Sequence, residues 1–204
     1  MIFFKNSSNF FGSGASNPCM TNTSITDQQL IDMLNNHAQR DQGFRQLMRQ
    51  YGRCLYWHVR RIVIDHDDAE DVLQETAIKV LESISKFKGD SQLGTWLYRI
   101  ATNEALMHLR RQTRLFQSID TIGPELAERL VSQPDLVGDE AAMLFQRAIL
   151  QLPTQQRIAF NLRYYDELSY EQIAQVTGKS VATLKSNYHY AVKKIENYLK
   201  EHSL

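Results

Sequence analysis

Wherever this sequence carries a hydrophobic pattern, it carries it at spacings of three and four. Phe44, Leu47, Met48, Tyr51, Leu55, Val59 and Ile62 follow one another in this way, which places them along one stripe of a helix. A second helix is expected after Asp65–Asp68, with Val72, Ala77, Val80, Leu81 and Ile84 as its apolar positions. Asp67 and Glu70 at its start suggest a capping box with Asp in place of Ser or Thr. A third helix is expected from about Thr95 to Arg111. No alternating strand pattern and no internal repeat occurs. Nine Gly and four Pro in 204 residues are too few for a turn-rich β-sandwich. The expected fold class is all-α, with two small helical domains joined by an acidic linker.

The boundaries follow from where the pattern stops. Residues 1–23 are rich in Ser, Asn and Gly and are expected to form a disordered tail. They contain neither the apolar stretch nor the cleavage site of a signal peptide. Met20 begins Met-Thr-Asn-Thr-Ser-Ile-Thr-Asp, which reads like a second translation start leading into a capped helix. Residues 24–113 form the first helical domain. Residues 114–139, with Gly123, Pro124, Pro134 and Gly138 and no sustained period, form the linker. Residues 140–204 form the second domain, its helices expected at Thr154–Tyr165, Ser169–Thr177 and Ser180–Lys200. Two cysteines, Cys19 and Cys54, are too few for a disulfide framework, and Cys54 is expected to pack rather than react. No stretch approaches the roughly 18 apolar residues that spanning a bilayer requires. A cytoplasmic protein without membrane insertion is expected.

The formal net charge is zero, from 23 basic and 23 acidic side chains. Taken as an average, that argues against a nucleic-acid partner. Along the chain the charge is blocked instead. Residues 41–64 carry a net +4, residues 65–82 a net −6, residues 83–114 +4, residues 115–150 −4 and residues 151–204 +2. Blocks of this size suit separate surfaces for partners of opposite sign, although solvated helix faces would give the same counts.

The last domain reads as a helix-turn-helix. Ser169 and Gln172 make a capping box, Ala174 permits a close helix crossing, and Gly178 permits the tight turn. Ser180 caps the next helix, where Val181, Leu184, Tyr188, Val192, Ile195 and Leu199 form the apolar stripe. The opposite face carries Ala182, Thr183, Ser186, His189, Tyr190 and Lys193, with Lys185 and Lys194 at its edges. Small polar groups early in such a helix can enter a major groove while lysines reach phosphates.

The third helix, with Leu97, Ile100, Ala101 and Met107 expected inside, presents Arg99, Asn103, Leu106 and Arg110 outward, and Arg111 and Arg114 extend its charge. Phe87, Lys88, Trp96 and Tyr98 lie in or beside the loop that precedes it. Aromatics among basic residues suit single-stranded nucleic acid, since unpaired bases stack and phosphates need cations. Aromatics at helical spacing also build cores, so Trp96 is expected at least partly inside, while Phe87 and Tyr98 stay open to both roles. The acidic run from Asp65 to Asp71 has one histidine, and helix geometry spreads its carboxylates around the axis, so a helix start is expected and no metal. No phosphate-cradling glycine loop, His-Glu-x-x-His or nucleophile with its base occurs, so no enzymatic activity and no cofactor are expected.

Phe44 through Arg111 resembles region 2 of the extracytoplasmic-function (ECF) group of sigma-70 family RNA polymerase sigma factors. The strings that carry the resemblance are DDAEDVLQETAIKVLESISKFKG and TWLYRIATNEALMHLRRQ. Residues 149–199 resemble region 4, so the two regions cover somewhat over half the chain. The resemblance implies a promoter-specificity subunit that binds core RNA polymerase and starts transcription. It implies that Asp71, Gln74 and Glu75 dock on the polymerase β′ clamp helices and that the first helices of region 4 meet the β flap. It implies −10 recognition and melting by Phe87, Lys88, Tyr98, Arg99, Asn103, Arg110 and Arg111. Duplex recognition at −35 would fall to Ala182, Thr183, Lys185, Ser186, His189, Tyr190 and Lys193. Members of this group are typically held by an anti-sigma factor. Ala77, Asn187 and Tyr190 depart from the residues the family often has there. The alternative is a stand-alone transcription regulator that uses the helix-turn-helix alone.

Overall fold

The computed structural model describes residues 25–115 and 140–202. The expectations for the N-terminal tail, for Met20 and for nearly all of the linker lie outside the described residues. Four helices form the first module: α1 (Asp27–Asn35), α2 (Arg40–Val63), α3 (His66–Ser83) and α4 (Leu93–Leu115), with a 3-10 turn at Ile84–Lys86. Four more form the second: α5 (Glu140–Leu150), α6 (Thr154–Tyr164), α7 (Tyr170–Thr177) and α8 (Val181–His202). No strand occurs among the described residues.

Local chemistry starts these helices where side chains can meet the orphan N–H groups of a first turn. Thr26 and Gln29 form a reciprocal capping box on α1, and Ser169 and Gln172 form another on α7. The cap of α3 is Asp65, which accepts from the N–H groups of Asp67 and Asp68, and not Asp67 as the sequence suggests. Asp65 has the extended backbone a cap needs, whereas Asp67 already lies inside the helix. Ser180 accepts from the N–H of Thr183 at the start of α8 (3.2 Å). Gly178 ends α7 in the left-handed conformation, φ 68°, and so sets the turn into α8.

The predicted stripe of α2 is the spine of the molecule. Leu47, Leu55, Val59 and Ile62 are all but fully buried, against Leu30 and Leu34 of α1, Val72 and Val80 of α3, and Leu93, Leu97 and Ala101 of α4. Each such side chain contributes about 1.5–3 kcal/mol through removal from water. A smaller core of Ala148, Ile149, Leu152, Phe160, Ala191 and Ile195 holds α5, α6 and α8 together. There the rings of Tyr164 and Tyr188 stack on Phe160, with centroids 5.0 and 5.7 Å away. The second module does not stand apart: Ile158, Leu162, Leu168 and Ile173 pack into the first module's core.

Candidate nucleic-acid and polymerase interface

On α8 the apolar and polar stripes separate as the spacing predicts. Leu184, Ala191 and Ile195 are buried, while Ala182, Thr183, Lys185, Ser186, His189, Tyr190 and Lys193 are all exposed. Tyr190, at 55% exposure, is one of the large hydrophobic side chains open to solvent among the described residues. Small groups in the first turn and cations on later turns make a face that fits a groove flanked by phosphates.

On α4, Arg99, Asn103, Arg110 and Arg111 are exposed, and Lys88 is exposed in the loop before the helix. Leu106, predicted on the same outward stripe, is half-buried and packs on the core, as does Ile100, which the stripe placed inside; Met107, also expected inside, is half-buried. Phe87 and Trp96 are half-buried, with ring centroids 5.1 Å apart. Phe87 thus combines a fixed position with an open edge.

Of the two roles left open for Tyr98, the structure shows the packed one. It is 4% exposed, and its hydroxyl donates to Asp166 of the second module (3.4 Å). Burial first, and then the neighbouring carboxylate, push its phenol well above the ordinary tyrosine range. In this arrangement Tyr98 cannot stack on a base, because its ring lies edge-on against His58 (4.9 Å) between the modules.

The acidic face of α3 is open. Asp71, Gln74 and Glu75 are all exposed, and Ile78, one turn beyond Gln74, is half exposed at 50%. Gln74 also lines a shallow groove with Met48, Gly52, Arg53, Tyr56, Glu70 and Leu73, running between α2 and α3. Carboxylates, an amide and an exposed aliphatic on one face suit a basic, partly apolar protein partner better than nucleic acid.

Sequence reasoning missed the residues that join the modules. Asp166, in the turn after α6, accepts from His58 Nδ1 (2.9 Å) and from Arg61 (3.2 Å). Tyr165 is half-buried, and the Arg61 guanidinium lies over its ring, 4.2 Å from the centroid. Burial pushes its phenol up to about 12, with that guanidinium acting in the opposite sense. The available signal was His58 itself, which sits at helical spacing from Leu55 and Ile62 and so had to be buried with a partner.

The comparisons with known proteins follow the same division. Sigma-70 region 2 matches residues 47–115, and Sigma-70, region 4 matches residues 142–195. The RNA polymerase sigma-H factor of Pseudomonas aeruginosa is 33% identical over 186 residues, covering 87% of this chain and 95% of its own length. This chain belongs to the sigma-70 family, in its ECF group. The ECF RNA polymerase sigma-E factor of Escherichia coli K12 is 35% identical over 182 residues, covering 85% of this chain and 94% of its own. The sigma factor RpoE of Bartonella quintana, solved with the anti-sigma factor NepR, matches with a TM-score of 0.63 at 27% identity over 77% of this chain and 96% of that one. CnrH, solved with the cytosolic domain of CnrY, shares the fold, with a TM-score of 0.63 at 24% identity over 87% of this chain and 99% of that one. The relatives align across both regions, which a regulator built on the helix-turn-helix alone does not require. No helix among the described residues of this sigma factor is long and apolar enough to cross a membrane.

Proposed function

We propose that this sigma factor is a promoter-specificity subunit that binds core RNA polymerase, recognises −35 and −10 promoter elements and starts transcription. It brings no catalytic chemistry of its own and acts in the cytoplasm. The observation that carries the reading is the combination, on one chain, of an exposed acidic face on α3 with exposed basic and polar faces on α4 and α8. Residues 24–113 act as region 2, residues 140–204 as region 4, and residues 114–139 join them.

In this reading Asp71, Gln74 and Glu75 meet the β′ clamp helices, and the first helices of region 4 meet the β flap. Lys88, Arg99, Arg110 and Arg111 hold the phosphates of the melted strand, with Phe87 and Asn103 toward its bases. Extruding a base costs a few kcal/mol, which ring stacking and edge hydrogen bonds offset. Thr183 and Ser186 face base edges at −35, and Lys185 and Lys193 face phosphates. One solved relative carries an anti-sigma factor, which supports a protein of that kind as the natural restraint on this chain. Run-off transcription tests the reading: with purified core polymerase and a cognate promoter the chain should produce discrete transcripts. A folded chain that binds core yet starts none would overturn it.

A further inference from the structure

The net +4 of residues 41–64 falls on α2, a helix that carries none of the residues assigned to DNA or polymerase. Arg45, Arg49 and Arg53 follow one another every four residues, within about 80° around the helix axis, and all three are exposed. Among the described residues none of them has a carboxylate within ion-pair distance. Like charges four residues apart oppose a helix, and α2 carries two such pairs in a row.

Beside this ridge α3 returns antiparallel. The Tyr56 hydroxyl lies 2.7 Å from His66 Nδ1 at one end, and Arg40 donates to the Leu81 carbonyl at the other. That register brings Arg53 and Arg49 within a turn of the level of Glu70, Asp71 and Glu75, three exposed carboxylates of α3. Between the two stripes runs the shallow groove, apolar at Met48, Gly52, Tyr56 and Leu73, with Arg53 on one wall and Glu70 and Gln74 on the other. Three large hydrophobic side chains are open to solvent among the described residues. Two of them, Trp57 and Ile78, lie at the two ends of this face, where exposed apolar groups mark a protein contact.

A partner of one sign would be repelled by half of such a face; nucleic acid would meet the α3 carboxylates along with the arginines. Full complementarity needs an acidic stripe over α2, a basic stripe over α3 and apolar groups between. A second copy of this chain supplies all three in register. With a two-fold axis parallel to the helix pair, α2 of each copy lies over α3 of the other at the same level, and the two grooves close on each other. The formal net charge of zero leaves no overall repulsion between copies. Size sets the strength. The face runs the length of α3, 18 residues or about 27 Å, and two helices side by side make it roughly 20 Å wide. Covering it on both copies removes about 1,000 Å² from water, the lower limit for a specific interface.

We infer that the α2–α3 face is self-complementary, and that two free chains pair through it in a weak, reversible dimer that hides Asp71, Gln74 and Glu75 from core polymerase. The concealment rests on the promoter-specificity reading; the pairing does not.

Charge reversal in the full-length chain tests the pairing by sedimentation equilibrium. Wild type should pass from monomer toward dimer between low-micromolar and near-millimolar concentration. Arg49→Glu with Arg53→Glu makes both stripes acidic, and Asp71→Lys with Glu75→Lys makes both basic. Each double variant alone should associate at least tenfold more weakly than wild type, with helix content unchanged by circular dichroism. Mixed in equal amounts, the two should form a heterodimer, because every stripe again meets its opposite. A wild type that stays monomeric, a variant that pairs like wild type, or a mixture that stays monomeric overturns the pairing. Core polymerase added to the wild-type dimer should leave one chain per core; a core that retains two overturns the concealment. If wild-type chain binds no core at all, the promoter-specificity reading falls and sedimentation alone decides the dimer.

Discussion

Gly178 and Gly43 are held by different forces, and alanine at each measures which is larger. A Cβ at Gly178 would meet nothing within 4 Å, so the whole cost of Gly178→Ala is its left-handed backbone, φ 68°, about 1 kcal/mol. Gly43 lies inside α2 with ordinary helical geometry, but a Cβ there would come 2.9 Å from Met33 Cβ and 3.1 Å from the Leu34 backbone nitrogen. Because backbone cannot swing aside, α1 must shift, at a cost of roughly 1–3 kcal/mol. Urea unfolding followed by circular dichroism should therefore show Gly43→Ala as the more destabilised; the reverse order would mean that α1 yields easily. Gly178 was legible in the sequence because a turn residue advertises itself. Gly43 was not, since a glycine that lets two helices touch looks like any other until the second helix is placed. The same holds for Asp166, whose role depends on residues more than a hundred positions away.

At the scale of elements, the two stripes of α8 imply separable defects in the polymerase complex. Lys185 and Lys193 are exposed cations, and an ammonium group meets a phosphate as a point charge. Alanine at either should weaken promoter binding about equally for all −35 sequences and reduce the slope of log affinity against log salt by about one. Thr183→Ala or Ser186→Ala should instead change which −35 bases are preferred, and filter binding on a panel of single-base promoter variants separates the two behaviours. On α3, Asp71→Lys and Glu75→Lys invert an exposed acidic face without touching the core. Core polymerase binding should be lost in size-exclusion co-elution while helix content stays at the wild-type level; binding that survives would move the docking face elsewhere. Spacing told where these helices lie but not always where they end. The sequence starts the third helix near Thr95, yet α4 begins at Leu93 and includes Gly94. Gly94 reads as a breaker, but the position of its missing Cβ is 3.4 Å from the Tyr51 ring, so its smallness serves packing within a continuing helix.

For the whole molecule, a net charge of zero sums surfaces that face different partners. The acidic α3 face and the basic stripes of α4 and α8 are each exposed. The negative surfaces of a free chain repel phosphate. Under the proposed function, core polymerase removes this penalty by covering the acidic face, and it sets the spacing of the two regions. The free protein should therefore bind a promoter duplex only weakly and with little sequence preference, whereas the polymerase complex should bind it tightly and specifically. Fluorescence anisotropy at physiological salt, with and without core polymerase, measures the difference. Nanomolar, sequence-specific binding by the free chain would mean that its regions reach both elements without the polymerase.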